Sequence, residues 1–190
     1  MAATILAQEL LASRLEISCG SESHPDAAQA VGRAAALAGA RLSGVDADLA
    51  LVITAGMAGG DVVGDTRRVL GGVAVAGGQA AALLTDHGPK HNGALVIAIA
   101  NAEGAASGAA ATGARAPKDA GQAVARLTLA GWPFRAHYPR GLGIAFTRAA
   151  TDDAALAFLD SWRDYMGPKM RTVCCALASK IGRASCRERV

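Results

Sequence analysis

Aromatic side chains are nearly missing from this chain: three Phe, two Trp and two Tyr in 190 residues. A core made without them has to be filled by Ala, Val, Leu and Ile in close contact, with few large anchors. Long apolar runs are missing too. "LALVITAGMAGG" stops at Asp61, and no uncharged stretch approaches the roughly 18 residues of a spanning helix, which argues against a membrane partner. The N-terminus, "MAATILAQELLASRLEIS", lacks a positive start and carries Gln8 and Glu9 within its apolar part, so no secretory signal is expected. There is no Lys/Arg stripe interleaved with aromatics, which argues against nucleic acid. Cys19, Cys174 and Cys175 have no metal-ligand spacing, and adjacent cysteines seldom bridge each other. No metal and no cofactor is expected, and a reduced, cytoplasmic setting fits best.

The formal charge of +3 depends on the last ten residues, "IGRASCRERV", which hold three Arg and one Glu and reduce it to about +1 when removed. They also match the translation of a common short-read sequencing adapter. The expectation is that residues 181–190 are an artefact and that the gene continues past Lys180.

What the chain does contain is a repeat. "DAAQAVGR" (26–33) returns as "DAGQAVAR" (119–126), six of eight letters at an offset of 93, and the same offset lays "DLALVITAG" (48–56) over "GLGIAFTRA" (141–149). Unit one spans 23–100. Its first helix opens at Ser23 as N-cap, with Pro25 in the first turn, and closes at Gly44. Ala27, Ala30, Val31, Ala34, Leu37, Ala38 and Leu42 recur at helical spacing, so one face is expected to be buried. A buried strand over 48–55, a helix over 61–70 closed by Gly71-Gly72, and a strand over 72–77 follow. Residues 80–86 and 94–100 then read as a hairpin around the loop 87–93, with Gly88-Pro89 and Asn92-Gly93 as turn signals.

After a lead-in (1–15) and a small-residue connection (101–116), unit two (117–180) repeats the order: helix 117–131, strand 142–149, helix 151–168 capped at Thr151 or Asp152, and strand 171–179. Its second hairpin does not follow. Each unit has one apolar helix face and strands apolar on both faces, so two units sharing a sheet would bury what neither buries alone. The fold class is α/β, with a mixed or antiparallel sheet built from two tandem helix–strand–helix–strand units. A two-layer α/β and a four-layer αββα sandwich both fit, the second being preferred.

"SESHPDAAQAVGRAAALAGARLSGVDADLALVITAG" resembles the start of a FIST (F-box and intracellular signal transduction) domain. The likeness runs over about 16–180: a Ser-rich start, a Pro-Asp helix entry, an Asp-Leu-x-Leu-Val strand, a Gly-flanked strand with a hairpin, and a second unit ending in Gly-Pro and a strand. The resemblance implies an N-terminal FIST-like domain in a sensory protein, binding a small molecule such as an amino acid or related metabolite. Its partner would be a C-terminal FIST-like domain that this chain lacks. Where the family shows a Gly-Cys-Ser/Thr-rich turn, this chain has "AGGQAA" (76–81), so the ligand contacts implied there fall to Gly77, Gly78 and Gln79. Ser21, at a polar lip in "GSES", completes the candidate ligand-binding set.

Other motifs read as structure. In "DHGPKH", Asp86, His87 and His91 are turn residues, since Gly88-Pro89 keeps them off a helix. "GMAGGDVVGDTRR" (56–68) is glycine-rich between a strand and a helix, where a phosphate could sit with Arg67 and Arg68 as nearest cations, but it matches no phosphate or dinucleotide pattern. Cys174 and Cys175 lie in an expected buried strand. No catalytic residue is assigned. Two alternatives stay beside the sensor reading: an αββα enzyme acting on a small amide or amino-acid derivative, with Cys174 or Ser21 as nucleophile, and a scaffold with no ligand.

Overall fold

The computed structural model describes residues 15–57, 60–85, 88–101, 116–130, 141–147, 151–167, 170–176 and 186–188. They form a mixed α/β structure. In chain order the elements are β1 (Leu15–Glu22), α1 (Ala27–Ala40), β2 (Leu49–Ala55), α2 (Val62–Leu70), β3 (Ala74–Ala80), β4 (Leu83–Thr85), β5 (Gly88–Lys90) and β6 (Gly93–Asn101). There follow α3 (Pro117–Ala130), β7 (Gly141–Thr147), α4 (Asp152–Met166), β8 (Met170–Ala176) and β9 (Cys186–Glu188).

β1, which precedes the first unit, joins three strands of that unit in the order β1-β6-β2-β3. β6 runs antiparallel to both β1 and β2, while β2 and β3 are parallel and linked by α2. In the second unit β7 and β8 are likewise parallel and linked by α4, so each unit contains a parallel strand–helix–strand crossover. Within the 181–190 tail, β9 pairs antiparallel with β8. β3 comes alongside β7, with no ladder between them among the described residues.

Pairing places Ser18, Ala98, Ala50 and Val75 in one row, and Gly20, Val96, Val52 and Gly77 in the next. These small side chains receive α1, whose Ala30, Val31, Ala34, Ala35 and Ala38 are fully buried. The aromatic-poor composition is answered by proximity: a Cβ on Gly20 would meet the Ala34 carbonyl, and Ala38 N at 2.8 Å. Burial of Val31, Val52 and Val96 contributes about 1.5–3 kcal/mol each. The opposite face carries Ile17, Ile97, Leu51 and Ile53, so the strands are apolar on both faces as their composition predicts. A second core joins α3 to α4 through Ala125, Phe158, Leu159, Trp162 and Met166.

Several boundaries differ from the sequence reading. Asp26, not Ser23, caps α1: its Oδ1 accepts the Gln29 N–H at 2.9 Å, which leaves Pro25 outside the helix. The helix stops at Ala40, and Gly44 falls in the following turn. Residues 80–86 do not pair with 94–100. Leu83–Thr85 folds back on Gly88–Lys90, and β6 runs on between β1 and β2. The reason is β1, a strand whose inward face of Glu16, Ser18 and Gly20 hides it from a search for apolar runs. At α4 the Thr151 cap is present, accepting the Ala154 N–H at 3.2 Å. Residues 1–14 of the lead-in, Asp86 and His87, most of the connection 101–116, and residues 177–185 lie outside the described residues.

Candidate functional site

Parallel strands joined by a helix place both strand C-termini and the helix N-terminus at the same end of the sheet, the usual location of ligands in α/β proteins. Here β2 ends at Ala55, β3 at Ala80 and α2 begins after Asp61. The start of α1, the end of β1 and the β5–β6 turn reach the same end. A Cβ on Gly60 would lie 3.1 Å from Ala27 Cβ, and one on Gly93 would meet the Glu22 carbonyl and Ser23 Cα.

Two side-chain amides tie these loops. Gln79 Nε2 donates to the Met57 carbonyl at 3.1 Å. Asn92 Nδ2, with the amide turned to face its acceptors, donates to the carbonyls of His91 at 3.0 Å and Gly56 at 3.1 Å. Gly56 has φ +61, and a side chain there would run into Asn92 and the His91 carbonyl, so the β2 exit and the β5–β6 turn are pressed together.

The helix starts at this end are already supplied with acceptors. Asp61 Oδ1 accepts the Gly64 N–H at 2.9 Å, as Asp26 does for Gln29 in α1. A carboxylate thus stands where a bound phosphate would sit on α2. Arg67 and Arg68 are in the last turn of α2, away from the glycine-rich loop; Arg67 Nε donates to the Val73 carbonyl at 3.0 Å and Arg68 pairs with Asp65 at 2.9 Å. They are not the cations of a site at that loop.

The four candidate residues do not form one cluster. Ser21 and Gly78 share a row, Ser21–Leu95–Ile53–Gly78, but sit on opposite edge strands, three strand spacings or about 14 Å apart. Gln79 belongs to the row Glu22–Ala94–Thr54–Gln79 on the helix-bearing face. Gly77, at φ +142, has a structural role, because a side chain there would strike the Val52 carbonyl. Of the four, Gln79 lies at the convergence. Asn92 and Met57 join it without having been singled out from sequence, although Asn92-Gly93 was legible as a turn.

Among the described residues no three His, Cys, Asp or Glu side chains gather as metal ligands, and no helix is long and apolar enough to cross a membrane. His91 is exposed in its turn. Cys174 and Cys175 lie in β8, and their expected burial falls outside what is described. Compared with known proteins, the chain matches no family model and no curated relative.

Proposed function

We propose that this chain is a small-molecule-binding sensory module, with its ligand at the C-terminal ends of β2 and β3. The observation that carries the reading is the convergence there of Gln79 and Asn92 on the loop that leaves β2. The rim carries the Asp26 and Asp61 carboxylates, each with one oxygen accepting from its own helix and one left over. That chemistry suits an ammonium group and fits an amino acid or related metabolite better than a phosphate. The FIST-like segments of the sequence support the same reading, with output passed to a C-terminal partner domain. In an αββα arrangement a second sheet would cover the Leu/Ile face of the first.

A thermal-shift survey with amino acids and small amines tests this. A true ligand at about a hundred times its Kd stabilises the fold by about 2.7 kcal/mol, a rise of several degrees in Tm. The rise should be lost in Gln79→Ala and Asn92→Ala. No shift with any member of the panel overturns the reading in favour of a scaffold. Turnover of an amide substrate that Ser21→Ala or Cys174→Ala abolishes overturns it in favour of an enzyme.

A further inference from the structure

The ladder fixes which backbone groups of β1 face out of the sheet. On β6 the Ile99 carbonyl is turned toward β2, where it accepts the Asp48 N–H at 2.8 Å. Backbone groups alternate sides along a strand, so Ala98 and Ala100 turn theirs to β1. Their partners Ser18 and Glu16 bond inward, and Ile17, Cys19 and Ser21 direct N–H and C=O outward. Among the described residues β6 is the sole ladder neighbour of β1, so this outward row is an edge. Its first part is apolar and open, with Leu15 55% exposed, Ile17 61% exposed and Cys19 an exposed free thiol, while Ser21 at the far end is polar and half-buried. An open apolar edge is a template for another strand.

One group interrupts that edge. Arg41, the C-cap residue of α1, reaches over β1 and donates from Nη1 to the Cys19 carbonyl at 2.6 Å. Its position is set from both sides. Ser18 Oγ donates to the Ala38 carbonyl at 2.6 Å, and Glu16 Oε2 accepts the Ser43 N–H at 2.8 Å.

We propose that the outer edge of β1 is a docking edge for β1 of a second copy, antiparallel with Ile17 opposite Ile17, and that Arg41 holds it closed by occupying the Cys19 carbonyl. The register follows from the side chains. A twofold axis at Ile17 sets Leu15 against Cys19 of the other copy and Glu16 against Ser18, which gathers the exposed apolar residues into one stripe. An axis at Cys19 would set Glu16 against Glu22, a like-charge pair across the strands. With the axis at Ile17, both flanking hydrogen-bonded pairs, Leu15 with Cys19 and its symmetry mate, require the carbonyl that Arg41 occupies. One guanidinium per copy therefore removes bonds on both sides of the axis.

Sedimentation velocity of the full chain over a hundredfold range of concentration tests the proposal. Arg41→Met keeps the aliphatic stem and removes the donor; it should tighten self-association about tenfold or more relative to wild type. Arg41→Gln, too short to reach Cys19, should act the same way and serves if the Met variant folds poorly. Adding Ile17→Lys to either puts like charges on the axis and should return the chain to wild-type behaviour. Amide exchange at Ile17 should slow in the associated variant. The proposal is overturned if both Arg41 variants sediment as wild type. It is equally overturned if association persists with Ile17→Lys, since the contact would then lie elsewhere.

Discussion

Two glycines that look alike in the sequence have opposite roles. Gly20 lies in β1 directly beneath α1, where a Cβ would meet the Ala34 carbonyl and the Leu37 Cβ; Gly32 lies within α1, where a Cβ would meet nothing within 4 Å. Gly20→Ala should lift the helix off the sheet and cost about 1–3 kcal/mol. Gly32→Ala should instead stabilise by about 0.5–1 kcal/mol, because alanine has less backbone freedom to lose and favours the helix. Urea denaturation midpoints of the two variants should move in opposite directions, and equal shifts would contradict the packing described for α1. Gly77 belongs with Gly20. Its place in a candidate ligand turn came from resemblance, while its neighbour Val52 accounts for it by contact alone.

At the level of elements, the helices were the most legible part of the chain. Alanine at helical spacing marked α1 and α3, and the run from Thr151 to Met166 marked α4 with its cap. β2 stood out as seven residues with no polar member but Thr54. β1 was missed because its signal is alternation: Leu15, Ile17 and Cys19 against Glu16, Ser18 and Gly20, the second set turned to α1. A face made of Ser and Gly is buried for closeness, and hydropathy does not register closeness. Missing β1 then gave β6 the wrong partner, because a strand without a visible neighbour is assigned to the nearest turn. α2 offers a test at this scale. It is short and depends on its first turn, where Asp61 accepts the Gly64 N–H. Asp61→Ala should cost about 1 kcal/mol, and Asp61→Asn should keep most of that, both measured by chemical denaturation.

For the molecule as a whole, the two cores share no residue: one joins α1 and α2 to the four-stranded sheet, the other joins α3 to α4. Phe158, 5% exposed, belongs to the second. Phe158→Ala should cost that core about 3–5 kcal/mol. Hydrogen exchange should then speed up across α3 and α4 while Val52 and Val96 keep their protection. Uniform acceleration across the chain would mean that the units open together. The candidate site is a product of this scale, which is why so little of it was legible. Gln79 and Asn92 are thirteen positions apart, and their common loop follows β2, more than twenty positions before Gln79. No local pattern links the three; the crossing of β3, β2 and β6 does.

The alanine face of α1 has a mechanical consequence. A helix that meets a sheet mostly through Ala, Gly and Ser, with Val31, Val52 and Val96 as the largest side chains between them, has few knobs to fit into holes, so shape complementarity does little to stop it moving along its axis. Polar pins near its C-terminal end set where it rests: Ser18 on Ala38, Glu16 on Ser43 and Arg41 on Cys19. All three attach to β1. The position of the helix is therefore referenced to a single edge strand, and any pull on that strand is transmitted along α1 to its other end, where Asp26 and Ala27 border the loop that leaves β2.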